Sequence, residues 1–146
     1  MSATPRLYLG FADADDLRVV SALVQDAVVK AADLVYLGGA RRFALVANRF
    51  CWEAGVEAYR RRCGLHFDTV RSVRVKGIDR NAVEQVLELL AIEVGDNDNG
   101  VLVDLIFAGG AQIRLDAETL EGGLKDLTEA WPTRQAPQHE SDGESA

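Results

Sequence analysis

DLVYLGGARRFALVAN, residues 33–48, decides the fold. An apolar run, Asp33 to Leu37, meets Gly38-Gly39, whose permissive backbone suits a hairpin turn. On the return, Phe43, Leu45 and Ala47 alternate with Ala44, Val46 and Asn48, so both faces of the strand are fairly apolar. Such a strand belongs in the middle of a sheet, because an edge or half-solvated strand alternates apolar with polar residues. Two strands joined by a turn of this length pair antiparallel, since a parallel return needs a crossover of about a dozen residues.

Outward from this hairpin the same period continues. Leu65 and Phe67 lead to Val70, Val73 and Val75, and the slip in alternation between Phe67 and Val73 predicts a bulge near Asp68 or Ser72. Val86 to Val94 is another strand-like run, ended by the turn residues Gly95 to Gly100. Val101, Val103, Leu105 and Phe107 share a strand face, and Gly109-Gly110 turns the chain into Ile113 and Leu115. Towards the N-terminus, Leu7 to Phe11 reads as a strand. Asp13, Asp15 and Asp16 then cap a helix striped by Leu17, Val20, Val24, Ala27 and Val28. Glu53 to Arg62 reads as a helical turn or hairpin loop, its Ala and Glu content slightly favouring the helix.

At the other end, Asp116 is expected to cap a closing helix with the stripe Leu120, Leu124, Leu127 and Trp131, stopped by Pro132. Gly122-Gly123 inside it costs about 1 kcal/mol per glycine relative to Ala, offset by close approach to the sheet. The expected fold is therefore α+β: an antiparallel meander or half-closed barrel of the pleckstrin-homology kind, with an N-terminal helix and a C-terminal helix. Residues 1–131 are expected to form a single domain, and the polar residues 132–146 a disordered tail.

Charge is spread unevenly. Residues 41–80 carry 10 Arg/Lys against 4 Asp/Glu, a balance of +6, whereas residues 1–40 come to 3 − 5 = −2 and residues 81–146 to 3 − 14 = −11, giving −7 overall. A basic middle within an acidic chain points to a surface that meets an anion, or to a fold that pairs its own halves. No apolar run approaches the roughly 18 residues of a membrane span, and Met1 to Arg6 lack a charged region followed by an apolar stretch, so no signal peptide is expected. Cys51 and Cys63 are then expected reduced, in the cytoplasm.

Residues 21–28 (SALVQDAV), 41–53 (RRFALVANRFCWE), 107–116 (FAGGAQIRLD) and 124–131 resemble an uncharacterised bacterial family known only as a domain of unknown function. The resemblance covers nearly all of residues 7–139. It implies a small cytoplasmic bacterial protein with no assigned activity, cofactor or catalytic residue, so no functional residue can be carried over from it.

The chemistry-bearing residues narrow the classes. Cys63-x-x-His66 has the spacing of half a zinc site, but a structural zinc site needs four ligands and this is one nearby Cys-His pair, with Cys51 and the distant His139 as the only other soft ligands. As a nucleophile and base, the same pair would point apart on a strand, although Arg60, Arg61 and Arg62 could depress a thiol pKa. Asp96-x-Asp98-x-Gly100 opens like a calcium loop, but its glycine comes at the fifth position and no Glu follows at the twelfth. No phosphate-binding glycine pattern follows a strand. No cofactor or metal is expected.

The basic run passes this sieve best. Arg41, Arg42, Arg49, Arg60, Arg61, Arg62, Arg71 and Arg74, with Trp52 among them, are the candidate binding residues, since Arg favours bidentate contact with carboxylate and phosphate. The plainer reading is a solvated face, or pairing with acidic residues such as Glu84, Glu88 and Glu93. The function expected is a non-catalytic protein-binding or adaptor module using residues 41–76 to hold a partner protein. The alternative is weak binding of nucleic acid or an anionic ligand, which the acidic net charge disfavours, and a small thiol-dependent enzyme comes last. A homodimer through an open sheet edge is compatible with the pattern; membrane association is not expected.

Overall fold

The alternation in residues 33–48 becomes burial in the folded chain. Phe43, Leu45 and Ala47 face the core, at most 3% exposed, and the strand that carries them lies between two others. The structure, a computed structural model, describes residues 6–51, 59–79, 81–82 and 84–132. Its elements are β1 (Tyr8–Phe11), α1 (Ala14–Leu23), β2 (Val28–Leu37), β3 (Arg42–Cys51), β4 (Tyr59–Phe67), β5 (Val70–Lys76), β6 (Val86–Asn97), β7 (Gly100–Phe107), β8 (Gln112–Ala117), β9 (Gly122–Asp126) and β10 (Trp131–Pro132).

All pairings are antiparallel, in the order β1-β9-β4-β3-β2-β6-β7-β8-β5, with β10 beside β4. Two bent arms give this order its shape. β4 turns into β5 through Asp68 and Thr69, and β8 turns into β9 through residues 118–121. The arms pair along both halves, β4 with β9 and β5 with β8. The order runs from β4 through β3, β2, β6, β7 and β8 to β5, the other half of the β4 arm, without β5 pairing to β4. Strand β6 joins two sheets, pairing with β2 over Val86 to Glu88 and with β7 beyond. The ladder slips between Val70 and Ser72, where the broken alternation places a bulge.

Helix α1 is shorter than its apolar stripe suggests. Asp13 accepts from the Asp16 amide at 2.8 Å and Asp16 accepts from the Ala12 amide at 3.2 Å, a reciprocal cap. Leu17 and Val20 are buried, and Ser21 Oγ accepts from the Ile92 amide of β6 at 2.9 Å. The helix stops at Val24, and Asp26 adopts φ 69° in the left-handed region. Ala27 and Val28 therefore belong to the approach and start of β2, not to the helix. In the β2–β3 turn, Gly38 to Ala40 form a 3₁₀ turn and Arg41 takes the left-handed conformation, φ 53°. In the β7–β8 turn the glycines do so, Gly109 at φ 81° and Gly110 at φ 87°.

The expected α+β class with a C-terminal helix is overturned. Residues 112–117 and 122–126 are strands, and α1 is the only α-helix among the described residues. Asp116 does not cap a helix; it sits in a ladder between Leu102 of β7 and Ser72 of β5. The stripe Leu120, Leu124, Leu127, Trp131 mimicked helical spacing because the chain bends at residues 118–121 and again at 127–130, each bend resetting a period of two. Leu124 is buried in β9, while Leu127 and Trp131 are 42% and 38% exposed. The expectation for residues 53–62 splits: Tyr59 to Arg62 are strand, and residues 53–58 lie outside the described residues, as does the tail from residue 133.

Gly122 shows why β9 can begin where it does. A Cβ there would run into the carbonyl oxygen of His66 and the ring of Phe11, both fixed by the corner that β9 turns. Gly122→Ala should therefore lower stability by about 1–3 kcal/mol, the usual cost of overpacking. At Gly123 the nearest atom is a His66 ring carbon at 3.0 Å, on a side chain able to turn, so Gly123→Ala should cost less. Urea unfolding midpoints rank the two variants; equal stability of Gly122→Ala and the parent protein would contradict this packing.

Candidate functional site

Strand register first decides where the arginines go. On β3 the core-facing positions continue from Phe43, Leu45 and Ala47 to Arg49; on β4 they are Arg61, Cys63, Leu65 and Phe67. Arg49 and Arg61 stand directly opposite each other, and both are 0% exposed. Like charges in that relation repel. Asp126 of β9 answers both: its carboxylate accepts from Arg49 Nε and Nη2 at 2.9 Å each and from Arg61 Nη1 at 3.2 Å. It also accepts from the Leu7 amide at 2.8 Å, while its own amide donates to the Leu7 carbonyl at 2.9 Å. Burial pushes the Asp126 pKa up, but the hydrogen bonds from Arg49 and Leu7, with the nearby guanidiniums, outweigh it and hold the carboxyl below its ordinary value.

Most of the remaining basic run is also engaged. Arg41 meets Glu118 at 2.6 Å, Arg42 meets Asp68 at 2.7 Å, and Arg71 meets Asp116 at 2.8 Å while reaching the carbonyls of Asn99 and Ala117. Arg60 lies over the Phe50 ring, 5.5 Å from its centroid, and donates to the Asn48 carbonyl. Burial lowers the Arg60 pKa, against the opposing fields of Asp26 and Glu88. Trp52 lies outside the described residues. Arg62 and Arg74 are exposed, on different sheets. The expected residues thus divide among the core, several ion pairs and two separate faces. The acidic partners are Asp68, Asp116, Glu118 and Asp126, to which sequence separation gave no pointer.

The Cys63 and His66 side chains point to opposite faces of β4. Cys63 is 0% exposed, and burial pushes its thiol up to about 12. His66 faces outward, its Nε2 3.6 Å from Asp68. A protonated thiol in the core is a poor nucleophile. No group of three or more His, Cys, Asp or Glu side chains suited to a metal occurs among the described residues.

A different constellation appears on the outer face of the second sheet. A charge row crosses four strands in register, Glu93, Asp104, Arg114 and Arg74. Arg114 donates from Nε and Nη2 to Asp104 at 2.8 and 2.9 Å, and this pairing holds the Asp104 pKa below its usual value. Arg74 lies directly opposite Arg114 and forms no ion pair among the described residues. Ser72, Arg74, Asn97, Leu102, Arg114 and Asp116 line an open cleft of about 270 Å³. Arg114 falls outside the basic run, so charge counting along the sequence missed it; only the register of β5 against β8 reveals the pair.

A family model described as "Protein of unknown function (DUF2948)" matches residues 7–139. No curated protein and no solved structure matches the chain. No helix among the described residues is long and apolar enough to cross a membrane.

Two measurements test these placements. Asp126→Asn leaves two buried guanidiniums without their shared carboxylate and should cost about 3–5 kcal/mol, read by urea unfolding. Because the folded pKa of Asp126 is depressed, its contribution is complete above the unfolded value of about 3.9 and lost as pH falls through the folded value. The variant should accordingly show a shallower loss of stability on acidification. Native Cys63 should resist iodoacetamide at neutral pH and react once the chain is unfolded; rapid labelling of the native protein would contradict its burial.

Proposed function

We propose that this chain, which belongs to the DUF2948 family, is a non-catalytic binding module that holds an acidic side chain of a partner protein in the cleft beside Arg74 and Arg114. One observation carries this reading: two arginines face each other across β5 and β8, and Arg74 has no carboxylate of its own among the described residues. Facing guanidiniums repel; Arg114 already holds Asp104 through Nε and Nη2, so an anion in the cleft pairs with Arg74 and relieves the repulsion between the two. Bidentate donors suit a carboxylate. The cleft, about 270 Å³, falls just below the roughly 300–1,000 Å³ of small-molecule sites, a size that suits a side chain better than a cofactor.

A protein partner is favoured over nucleic acid. A polyanion needs a run of uncommitted basic groups, whereas Arg41, Arg42, Arg49, Arg61 and Arg71 are occupied by the chain's own carboxylates. Two free, buried cysteines support a cytoplasmic setting, where thiols stay reduced.

A photocrosslinking residue in place of the exposed Ser72, expressed in the host cell, tests the reading. A discrete crosslinked protein should form, survive nuclease and salt, and disappear when Arg74→Glu is added. Crosslinking that persists with Arg74→Glu, or that vanishes on nuclease treatment, would sink it.

A further inference from the structure

Arg74 belongs to a strand whose other side is open. Strand β5 ends the sheet order and pairs only with β8. Its first residue is tied down, the Val70 amide to the Arg41 carbonyl at 2.8 Å and the Val70 carbonyl to the Tyr36 hydroxyl at 2.7 Å. Beyond Val70, no backbone group of β5 bonds to a described element other than β8. An open edge is a template for another strand.

The side chains along this edge restrict what can pair there. Arg74 and Lys76 lie on the outer face, in register with Arg114 and Gln112. Val73 and Val75 lie on the core side, in register with Leu115 and Ile113, yet Val75 is 37% exposed. A second copy of β5 laid antiparallel would set Arg74 and Lys76 against the same two residues, like charge against like. Opposite charges at those positions would instead place carboxylates about 4.5–5.5 Å, Cβ to Cβ, from their basic partners.

Resting on the binding role just proposed, we infer that the partner enters as an added strand: an extended segment with acidic residues at alternate positions pairs with the open edge of β5. Its acidic side chains stand beside Arg74 and Lys76, one of them leaning into the Arg114 cleft, and the apolar residue between them covers Val75. Backbone hydrogen bonds give this mode its affinity, and the alternating side chains give it selectivity.

The probe is a capped peptide of alternating Glu and Val, titrated into the full-length protein and followed through the backbone amide signals of β5. Binding should shift residues 72–76 and weaken at least tenfold with Arg74→Glu or with Lys replacing Glu in the peptide. Two N-methylated forms separate strand addition from simple ion pairing: one methylated at every Val, the other at every Glu. In an added strand one set of amides faces β5 and the other faces water, so one form should lose binding and the other keep it. Equal behaviour of the two forms, or no binding by the parent peptide, overturns the strand mode. Photocrosslinking at Ser72 that still depends on Arg74 would then leave the binding role standing without it. A solution dimer that Val75→Lys dissolves would assign the edge to a second copy and also overturn the inference.

Discussion

The buried carboxylate of Asp126 is the point on which the first sheet depends. Two arginines face each other inside β3 and β4, a placement that would push those strands apart without a counter-charge. Asp126 supplies it from β9 and in the same position bonds the Leu7 backbone in both directions, which ties down the start of β1. One side chain thereby joins β1, β9, β4 and β3. A buried ion pair need not add net stability over an apolar core, because desolvation is costly. Here it has a further consequence: with the guanidiniums fixed, β9 can sit against β4 in only one register, since a one-residue slip would turn Asp126 outward.

This arrangement also accounts for the uneven charge. Several attachments run from the basic middle to the acidic end, among them Arg41 to Glu118, Arg71 to Asp116, Arg49 with Arg61 to Asp126, and Arg61 to Glu129 at 3.9 Å. Part of the asymmetry is a fold pairing its own halves. Solvent weakens the exposed members of this set, and pairs such as Arg41–Glu118 contribute little each. The buried one is of another kind, because water cannot replace the lost partner.

The sequence was legible where one strand face stays apolar over several residues. The β2–β3 hairpin, the central place of β3 and the bulge after Phe67 followed from alternation and turn residues alone. The closing helix did not hold because Leu120, Leu124 and Leu127 lie across bends, and a bent strand can imitate a spacing of three and four. Gly122 and Gly123 were the warning: paired glycines are poor in a helix, and the close approach they permit is between strands rather than between helix and sheet. The binding residues were harder still. Arg49 and Arg61 looked like surface charges until their parity on the strand placed them with Leu45 and Leu65, and Arg114 gained interest only through its cross-strand neighbour. Such pairs depend on register, which is a property of two segments and is not written in either one.

Once the internal pairs are removed, what remains exposed on the second sheet is informative. A solvated face ordinarily mixes signs so that neighbours attract. In the row from Glu93 to Arg74, only the middle pair, Asp104 with Arg114, does so; each end puts like charges side by side. The acidic end is on β6 within the sheet, whereas the basic end is on β5, where the sheet stops. An edge strand with basic side chains and an open backbone resists its own kind while leaving hydrogen-bonding groups available. Self-exclusion and selective acceptance are then two results of one charge pattern, and the sign of Arg74 and Lys76 determines which strands can join the sheet.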